Sequence, residues 1–139
     1  PEYAARDRAE FHAVNLSAYE DADLDWTDKK SRSTIEMNDL SSRPEIANKC
    51  ENMGSYDVVF VGFPIWWYVE PRIIDTFLES YDFSEKTVIP FATSGGSGLG
   101  KTSENFKKIL GANTTVKDGK LLTRASETDV SGWVKSLGL

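Results

Sequence analysis

The segment that most constrains the fold is Tyr56–Phe63, a run of mainly β-branched and aromatic residues. A β-branched and aromatic run of this length is typical of a strand buried on both faces, as in the centre of a parallel sheet. Thr87–Ala92 has the same character, and a predicted helix begins at Glu70-Pro71 between the two runs. Strands that alternate with helices predict an open, mostly parallel α/β sheet. The length of 139 residues suits a single domain, residues 1–139.

Weaker patterns complete the expected alternation of strands and helices. A short strand is predicted at Ala9–Asn15, followed by a long polar connection at Asp21–Arg43. Helical spacing of apolar residues predicts three more helices. The first covers residues 43–53, and the second carries Phe106, Ile109 and Leu110. The third is Glu127–Leu137, whose inward-facing residues are expected to be Val130, Trp133, Val134 and Leu137. Two strand pieces, Thr114–Val116 and Lys120–Leu122, flank an expected turn at Asp118-Gly119.

Two segments come directly after the apolar runs, where the carboxyl ends of parallel strands form the usual ligand site of such sheets. The candidate binding residues are Pro64, Ile65, Trp66, Trp67 and Tyr68 after the first run, and Thr93, Ser94, Gly95, Gly96 and Gly98 after the second. Three consecutive large rings cannot all enter one core, so at least one should be exposed and able to stack on a flat ligand. Alternatively, the rings simply cover the end of the sheet or an oligomer contact. The glycines allow a ligand to approach the backbone closely.

The segment Gly95–Thr102 also matches the phosphate-loop pattern of glycine, four residues, then glycine, lysine and threonine. It lies between a predicted strand and a predicted helix, as phosphate binding requires. Only 37 residues follow Thr102, however, too few for the further strands and the magnesium-binding aspartate of a phosphate-loop nucleoside triphosphatase. We therefore interpret the match as a coincidence of sequence, and nucleotide binding is the less favoured alternative.

Composition excludes several classes of function. The chain has 22 Asp and Glu against 16 Lys and Arg, a net charge of −6, which argues against nucleic-acid binding. The single cysteine, Cys50, excludes an internal disulfide, and the single histidine, His12, excludes a histidine-rich metal site. No apolar run approaches the roughly 20 residues that span a bilayer, and the first residues do not resemble a signal peptide. The expected location is therefore cytoplasmic, with no membrane partner.

Three segments, Asp23–Thr27, Tyr56–Tyr68 and Pro90–Gly98, resemble those of flavodoxin-type FMN domains, specifically the short bacterial flavodoxin-like proteins. The resemblance implies a three-layer open parallel sheet in the strand order 2-1-3-4-5, with helices on both faces. It also implies a noncovalent FMN whose ring is flanked by Pro64–Tyr68 and contacted at its other edge by backbone groups of Thr93–Gly98. The cofactor would carry one or two electrons or a hydride, with no catalytic side chain required. An oxidoreductase or electron-transfer function is then expected, with a redox protein or a small electron acceptor as partner.

One part of the family pattern has no counterpart in this chain. Flavodoxin-like proteins begin with the central strand of the sheet and a phosphate-binding loop, whereas Ala9–Asn15 corresponds to their second strand. We therefore expect an N-terminally truncated domain, with the exposed sheet edge covered by a homodimer partner. Loss of the phosphate loop removes charge-assisted anchoring and puts FMN binding by this chain in doubt. The alternative function is a flavin-free remnant that acts as an interaction or scaffold domain.

Overall fold

A computed structural model of the chain describes residues 19–139. Its helices and strands are α1 (Arg32–Asn38), β1 (Val58–Pro64), α2 (Arg72–Glu79), β2 (Thr87–Thr93), α3 (Thr102–Leu110), β3 (Thr115–Val116), β4 (Lys120–Leu121) and α4 (Glu127–Ser136), with short 3₁₀ helices at Asp21–Leu24 and Met53–Ser55. The strand predicted at Ala9–Asn15 lies outside the described residues. Within residues 19–139, no helix has the length and apolar character needed to cross a membrane.

The strands form an open, parallel sheet with β2 in its middle. β1 pairs with β2 along its whole length, from Val58 opposite Thr87 to Pro64 opposite Thr93. β3 pairs with the beginning of β2 and β4 with its end, both in parallel. The two predicted strand pieces are therefore confirmed as successive parts of one sheet edge. The segment between them interrupts that edge without reversing the direction of the chain.

One face of the sheet carries the main core, under α2 and α3. Val61 and Phe63 of β1 are buried there, and the Phe63 ring lies 5.9 Å from that of Phe106. The predicted apolar stripe of α2 is buried in the same core, which also contains Ile73, Ile74, Phe77, Leu78, Val88 and Ala92. The helices predicted after the two apolar runs are thus confirmed.

The opposite face of the sheet is covered by α4 through a single large ring. Trp133 lies edge-on to Phe60 at 5.9 Å and to Phe91 at 6.4 Å. A Cβ on Gly62 would lie 2.3 Å from the Phe91 ring, so glycine is required where that ring crosses β1. Helices therefore lie on both faces of the sheet, as predicted. Phe60 nevertheless remains partly exposed, so the prediction that β1 is buried on both faces was wrong.

Three local predictions were also wrong. Residues 43–53 do not form a helix, and the Cys50 amide donates to the Tyr81 hydroxyl at 2.9 Å instead of to a helical carbonyl. The polar connection at Asp21–Arg43 contains α1, whose first turn is capped by the Ser31 hydroxyl. In α4, Val134 is exposed rather than inward, since this short helix contacts the sheet mainly through Trp133.

Candidate functional site

The two predicted binding segments meet at the carboxyl ends of β1 and β2. Pro64 ends β1 opposite Thr93, which ends β2. The Ile65 amide then donates to the Thr93 carbonyl at 2.8 Å, so the pairing continues one residue beyond β1. Ile65 is half-buried against the core and anchors the start of the aromatic segment. The parallel register therefore brings the aromatic and the glycine-rich segments side by side.

The first segment forms a tight turn, Trp66–Val69, which we call the aromatic turn. Trp66 and Val69 exchange backbone hydrogen bonds of 2.9 and 3.1 Å. The two central residues, Trp67 and Tyr68, have φ angles of 46° and 70°, a left-handed conformation that is strained for residues with large side chains. Their side chains point outward, with Trp67 39% exposed and Tyr68 72% exposed. Two aromatic rings are thus exposed to solvent, in agreement with the prediction that three consecutive large rings cannot all enter the core.

The third ring, Trp66, holds the aromatic turn in place. It is half-buried and packs edge-to-face on Tyr19, with ring centroids 5.6 Å apart. The Arg32 guanidinium lies 4.2 Å from the centre of the Tyr19 ring. The Tyr19 hydroxyl donates to the Glu36 carboxylate, and this carboxylate also forms an ion pair with Arg32 at 2.7 Å. Burial is the main cause that raises the pKa of Tyr19, so its hydroxyl keeps its proton. Sequence reasoning missed this support because it treated α1 as a loop.

The second segment forms the glycine turn, Ser94–Gly98. Its shape is set internally, since the Ser94 hydroxyl accepts from the Gly96 amide at 3.1 Å and lies 3.1 Å from the Ser97 hydroxyl. A Cβ added at Gly95, Gly96 or Gly98 would meet no atom within 4 Å. In residues 19–139, the amides of Gly95, Ser97 and Gly98 donate no hydrogen bond. The turn therefore presents an open backbone surface with unpaired donors.

A close backbone approach joins the two turns. Gly100 has a φ of 53°, and a Cβ at this position would lie 2.0 Å from the Tyr68 carbonyl oxygen. Only glycine fits both the left-handed conformation and the contact. The same region argues against the phosphate-loop interpretation, because Thr102, whose hydroxyl would hold magnesium, is completely buried. Within this segment, Gly100 serves the contact with the aromatic turn.

A buried carboxyl lies directly behind the aromatic turn. Glu70 has no exposed surface. Its Oε1 accepts a hydrogen bond from the side-chain amide of Asn105 at 2.9 Å, whereas its Oε2 has no hydrogen-bond partner among the described residues. Burial, helped by the neighbouring Asp75 carboxylate, raises the pKa of Glu70 from 4.5 to about 7. Burial also raises the pKa of Asp75, but the guanidiniums of Arg72, at 3.5 Å, and Arg43, at 3.9 Å, oppose this rise, so Glu70 is the carboxyl that is protonated more readily. This cluster connects the beginning of α2 with α3.

These features fit a flat, heteroaromatic cofactor. The exposed rings of Trp67 and Tyr68 offer an apolar surface for stacking, and the open glycine turn offers unpaired amides at its side. Pockets that bind such groups combine apolar walls with a few placed polar groups. Sequence reasoning found both turns but did not find Tyr19, Glu70 or Gly100 as the residues that support them.

Comparison with known proteins agrees with this fold. The sequence matches the family model described as flavodoxin over residues 2–137. A proposed flavoprotein from Bacteroides eggerthii is 46% identical over 91% of this chain and 79% of that chain, with a TM-score of 0.84. A proposed flavoprotein from Bacteroides uniformis is 47% identical over 84% and 74%, with a TM-score of 0.79. None of the curated proteins compared matches significantly.

A more distant structure shares the fold alone. It is a flavoprotein from Lactobacillus acidophilus, solved in complex with FMN, which is 21% identical to this chain. The match covers 77% of this chain and 70% of that chain, with a TM-score of 0.57. The three-layer α/β architecture of this chain is therefore found in solved structures of both high and low sequence identity.

Proposed function

Because the chain belongs to the flavodoxin family, we propose that it binds FMN noncovalently at the two turns and transfers electrons through it. The observation that carries this proposal is the contact between Gly100 and Tyr68, which holds an exposed aromatic pair beside an open backbone surface. The FMN complex of the Lactobacillus acidophilus flavoprotein supports FMN as the flavin. FMN would supply the redox chemistry, the transfer of one or two electrons or a hydride.

The residues of the site bind and orient the ring. Trp67 and Tyr68 would cover its flat surface, while the unpaired amides of the glycine turn would donate to polar atoms at its edge. Pro64, Ile65 and Thr93 keep the two strand ends in register, and Trp66 anchors the aromatic turn on Tyr19. No role as a general acid or base is needed from these side chains.

The partner and the cellular setting belong to the same proposal. We take the partner to be a redox protein or a small electron acceptor that reaches the exposed rings. The chain would act in the cytoplasm, with its sheet edge covered in a homodimer. Size-exclusion chromatography with light scattering measures the homodimer directly, and a monomer at all concentrations would remove that part of the proposal.

The proposed function is tested by titrating the purified chain with FMN and following the quenching of flavin fluorescence. We expect saturable binding that weakens roughly tenfold or more in both Trp67→Ala and Tyr68→Ala, because each variant removes one stacking surface. Trp133→Phe is the matched control, since Trp133 packs on the face of the sheet at Phe60 and Phe91, and it should bind like the wild-type chain.

A parallel titration with riboflavin measures the contribution of the phosphate. Equal affinities for FMN and riboflavin would agree with the weakened phosphate anchoring that the sequence predicts. No saturable binding of either flavin would contradict the proposed function and favour a flavin-free interaction domain. Wild-type affinity in the Trp67 and Tyr68 variants would place the ring away from the aromatic turn.

A further inference from the structure

A pair of buried carboxyl groups lies directly behind the aromatic turn, and the proposed function assigns it no role. We propose that Glu70 and Asp75 share a single proton and that this proton holds the aromatic turn in its flavin-binding conformation. The consequence for flavin binding rests on the proposed function, whereas the shared proton rests on the burial and the hydrogen bonds of the two side chains.

Both carboxyl groups are removed from water. Glu70 has no exposed surface and Asp75 is 4% exposed. The two side chains lie within hydrogen-bond reach of each other. Two ionised carboxylates so close together in a buried site would repel each other, and neither would have the proton that a hydrogen bond between them needs. A proton on one of the two groups removes both problems.

The oxygen atoms that lack partners indicate where this proton lies. Glu70 Oε1 accepts from the Asn105 side-chain amide at 2.9 Å, and Asp75 Oδ2 faces the guanidiniums of Arg72 and Arg43 at 3.5 and 3.9 Å. Glu70 Oε2 and Asp75 Oδ1 are buried and have no hydrogen-bond partner among the described residues. Each carboxyl group thus has one satisfied and one unsatisfied oxygen. A single proton between the two unsatisfied oxygens provides the missing hydrogen bond for both.

The charges around the pair favour Glu70 as the group that carries the proton. Arg72 of α2 and Arg43, in the segment before β1, both face Asp75, and Arg43 is also held by Glu79 through two hydrogen bonds of 2.9 Å. α3 faces Glu70 with a neutral group, the Asn105 side chain. Burial raises the pKa of Glu70 to about 7, so the proton is lost close to neutral pH.

Loss of the proton would act on the aromatic turn through the backbone. Val69 closes the turn with two backbone hydrogen bonds to Trp66, and Glu70 is the next residue. An ionised Glu70 side chain would move toward water, and this movement displaces the backbone that closes the turn. Because the left-handed backbone of Trp67 and Tyr68 is strained, it should relax when this support is lost.

The expected pH dependence has a definite sign. Since the flavin-binding conformation keeps the proton, FMN affinity should fall as the pH rises through about 7, and it should fall roughly tenfold or more by about pH 9. Glu70→Gln reproduces the protonated form, because its amide can accept from Asn105 and donate to Asp75. Its FMN affinity should equal that of the wild-type chain at about pH 6 and exceed it roughly tenfold or more at about pH 9. The titration of the FMN phosphate is common to both chains and cancels in the ratio of their affinities.

Two measurements on the unliganded chain test the proton and the turn separately. Infrared difference spectroscopy of the wild-type chain against Glu70→Gln should show the carbonyl stretch of a protonated carboxyl group at about pH 6 and not at about pH 9. In NMR spectra, the indole N–H of Trp67 and the amide of Tyr68 should shift with the same midpoint as this infrared band. Both signals should stay constant with pH in Glu70→Gln. FMN titrations at the two pH values then measure the ratio of affinities.

Glu104→Gln is the matched control, since it neutralises an exposed glutamate of α3 and should leave all three results as in the wild-type chain. The absence of a protonated-carboxyl band at about pH 6 would overturn the proposal. A Glu70→Gln chain that did not fold would also overturn it, because the amide provides the same hydrogen bonds as the protonated acid. Signals of Trp67 and Tyr68 that did not follow the infrared band, or FMN binding with a ratio of affinities independent of pH, would overturn the coupling to the turn. Both spectroscopic results in a chain that binds no flavin would instead contradict only the proposed function.

Discussion

The aromatic turn and the glycine turn lie side by side at the same edge of the sheet, yet they are held by opposite means. The aromatic turn is supported from behind by side chains, through Trp66 on Tyr19 and through the adjoining buried Glu70. The glycine turn is supported from within, by the Ser94 hydroxyl, and from one side by Thr123.

The difference between the two turns corresponds to two separate roles in binding a flat ligand, one for exposed rings and one for open backbone amides. Side-chain support allows two large residues, Trp67 and Tyr68, to adopt a left-handed backbone and expose their rings. Support from hydroxyls and backbone leaves the amides of Gly95, Ser97 and Gly98 unpaired within residues 19–139 and open to a polar edge. Beyond the strand pairing, the two surfaces are attached to each other through the contact between Gly100 and Tyr68.

The largest expected effect comes from breaking that attachment with Gly100→Ala. The new methyl group would lie 2.0 Å from the Tyr68 carbonyl at a φ of 53°, so the turns must separate. Left-handed strain and the clash together should lower the free energy of unfolding by about 3 kcal/mol. Urea denaturation measures this change, and FMN affinity should fall with it.

Gly98→Ala is the control within the same segment. A Cβ there meets no atom within 4 Å, and the change should alter stability by less than about 0.5 kcal/mol. If both alanine variants were equally stable, the two turns would be independent, and the proposed attachment would be wrong.

A second prediction concerns the buried carboxyl behind the aromatic turn. In the folded chain the pKa of Glu70 is raised from 4.5 to about 7, so between these values the folded state holds a proton that the unfolded state has lost. Stability should therefore fall as the pH rises through this window. Glu70→Gln keeps an acceptor for Asn105 but cannot ionise. It should flatten this dependence and, near pH 8, stabilise the chain by on the order of 2 kcal/mol.

Urea denaturation at about pH 5 and about pH 8 provides the measurement for both chains. Glu104→Gln, an exposed glutamate on α3, is the matched control and should leave the pH dependence unchanged. A Glu70→Gln variant that lost stability at both pH values would show that the ionised carboxylate contributes favourably. Glu70 would then be part of an ion pair with its neighbours rather than a protonated acid.

Much of the fold could be predicted because the sheet is built from local patterns. The runs at Tyr56–Phe63 and Thr87–Ala92 became β1 and β2, and the apolar spacing after each run became α2 and α3. The errors arose where tertiary contacts override weak periodicity, as at Cys50, whose amide donates to a side chain rather than within a helix. A sequence pattern records the periodicity of a segment but not the partners that compete for its backbone.

The candidate site could be predicted in part, because its two turns directly follow strands that local patterns predict. Both turns are expected from the rule that ligands bind at the carboxyl ends of parallel strands, so their residues could be named directly. Their supports could not, because Tyr19, Glu70 and Gly100 act through contacts between distant segments.

The smallest expected effect isolates the strain in the aromatic turn, by comparing two replacements of Tyr68. Tyr68→Ala and Tyr68→Gly both remove a ring that is 72% exposed, so they lose similar packing and should lose FMN affinity to the same extent. Only glycine accepts the φ of 70° without strain, so Tyr68→Gly should be more stable than Tyr68→Ala by about 1 kcal/mol. Thermal denaturation of the two variants measures that difference. Equal stabilities of the two variants would mean that the aromatic turn relaxes when the Tyr68 ring is removed. The Tyr68 ring, and not the support that Tyr19 gives to Trp66, would then impose the left-handed backbone. A difference of the expected size would instead assign the strained backbone to its support, leaving the ring free to serve the ligand.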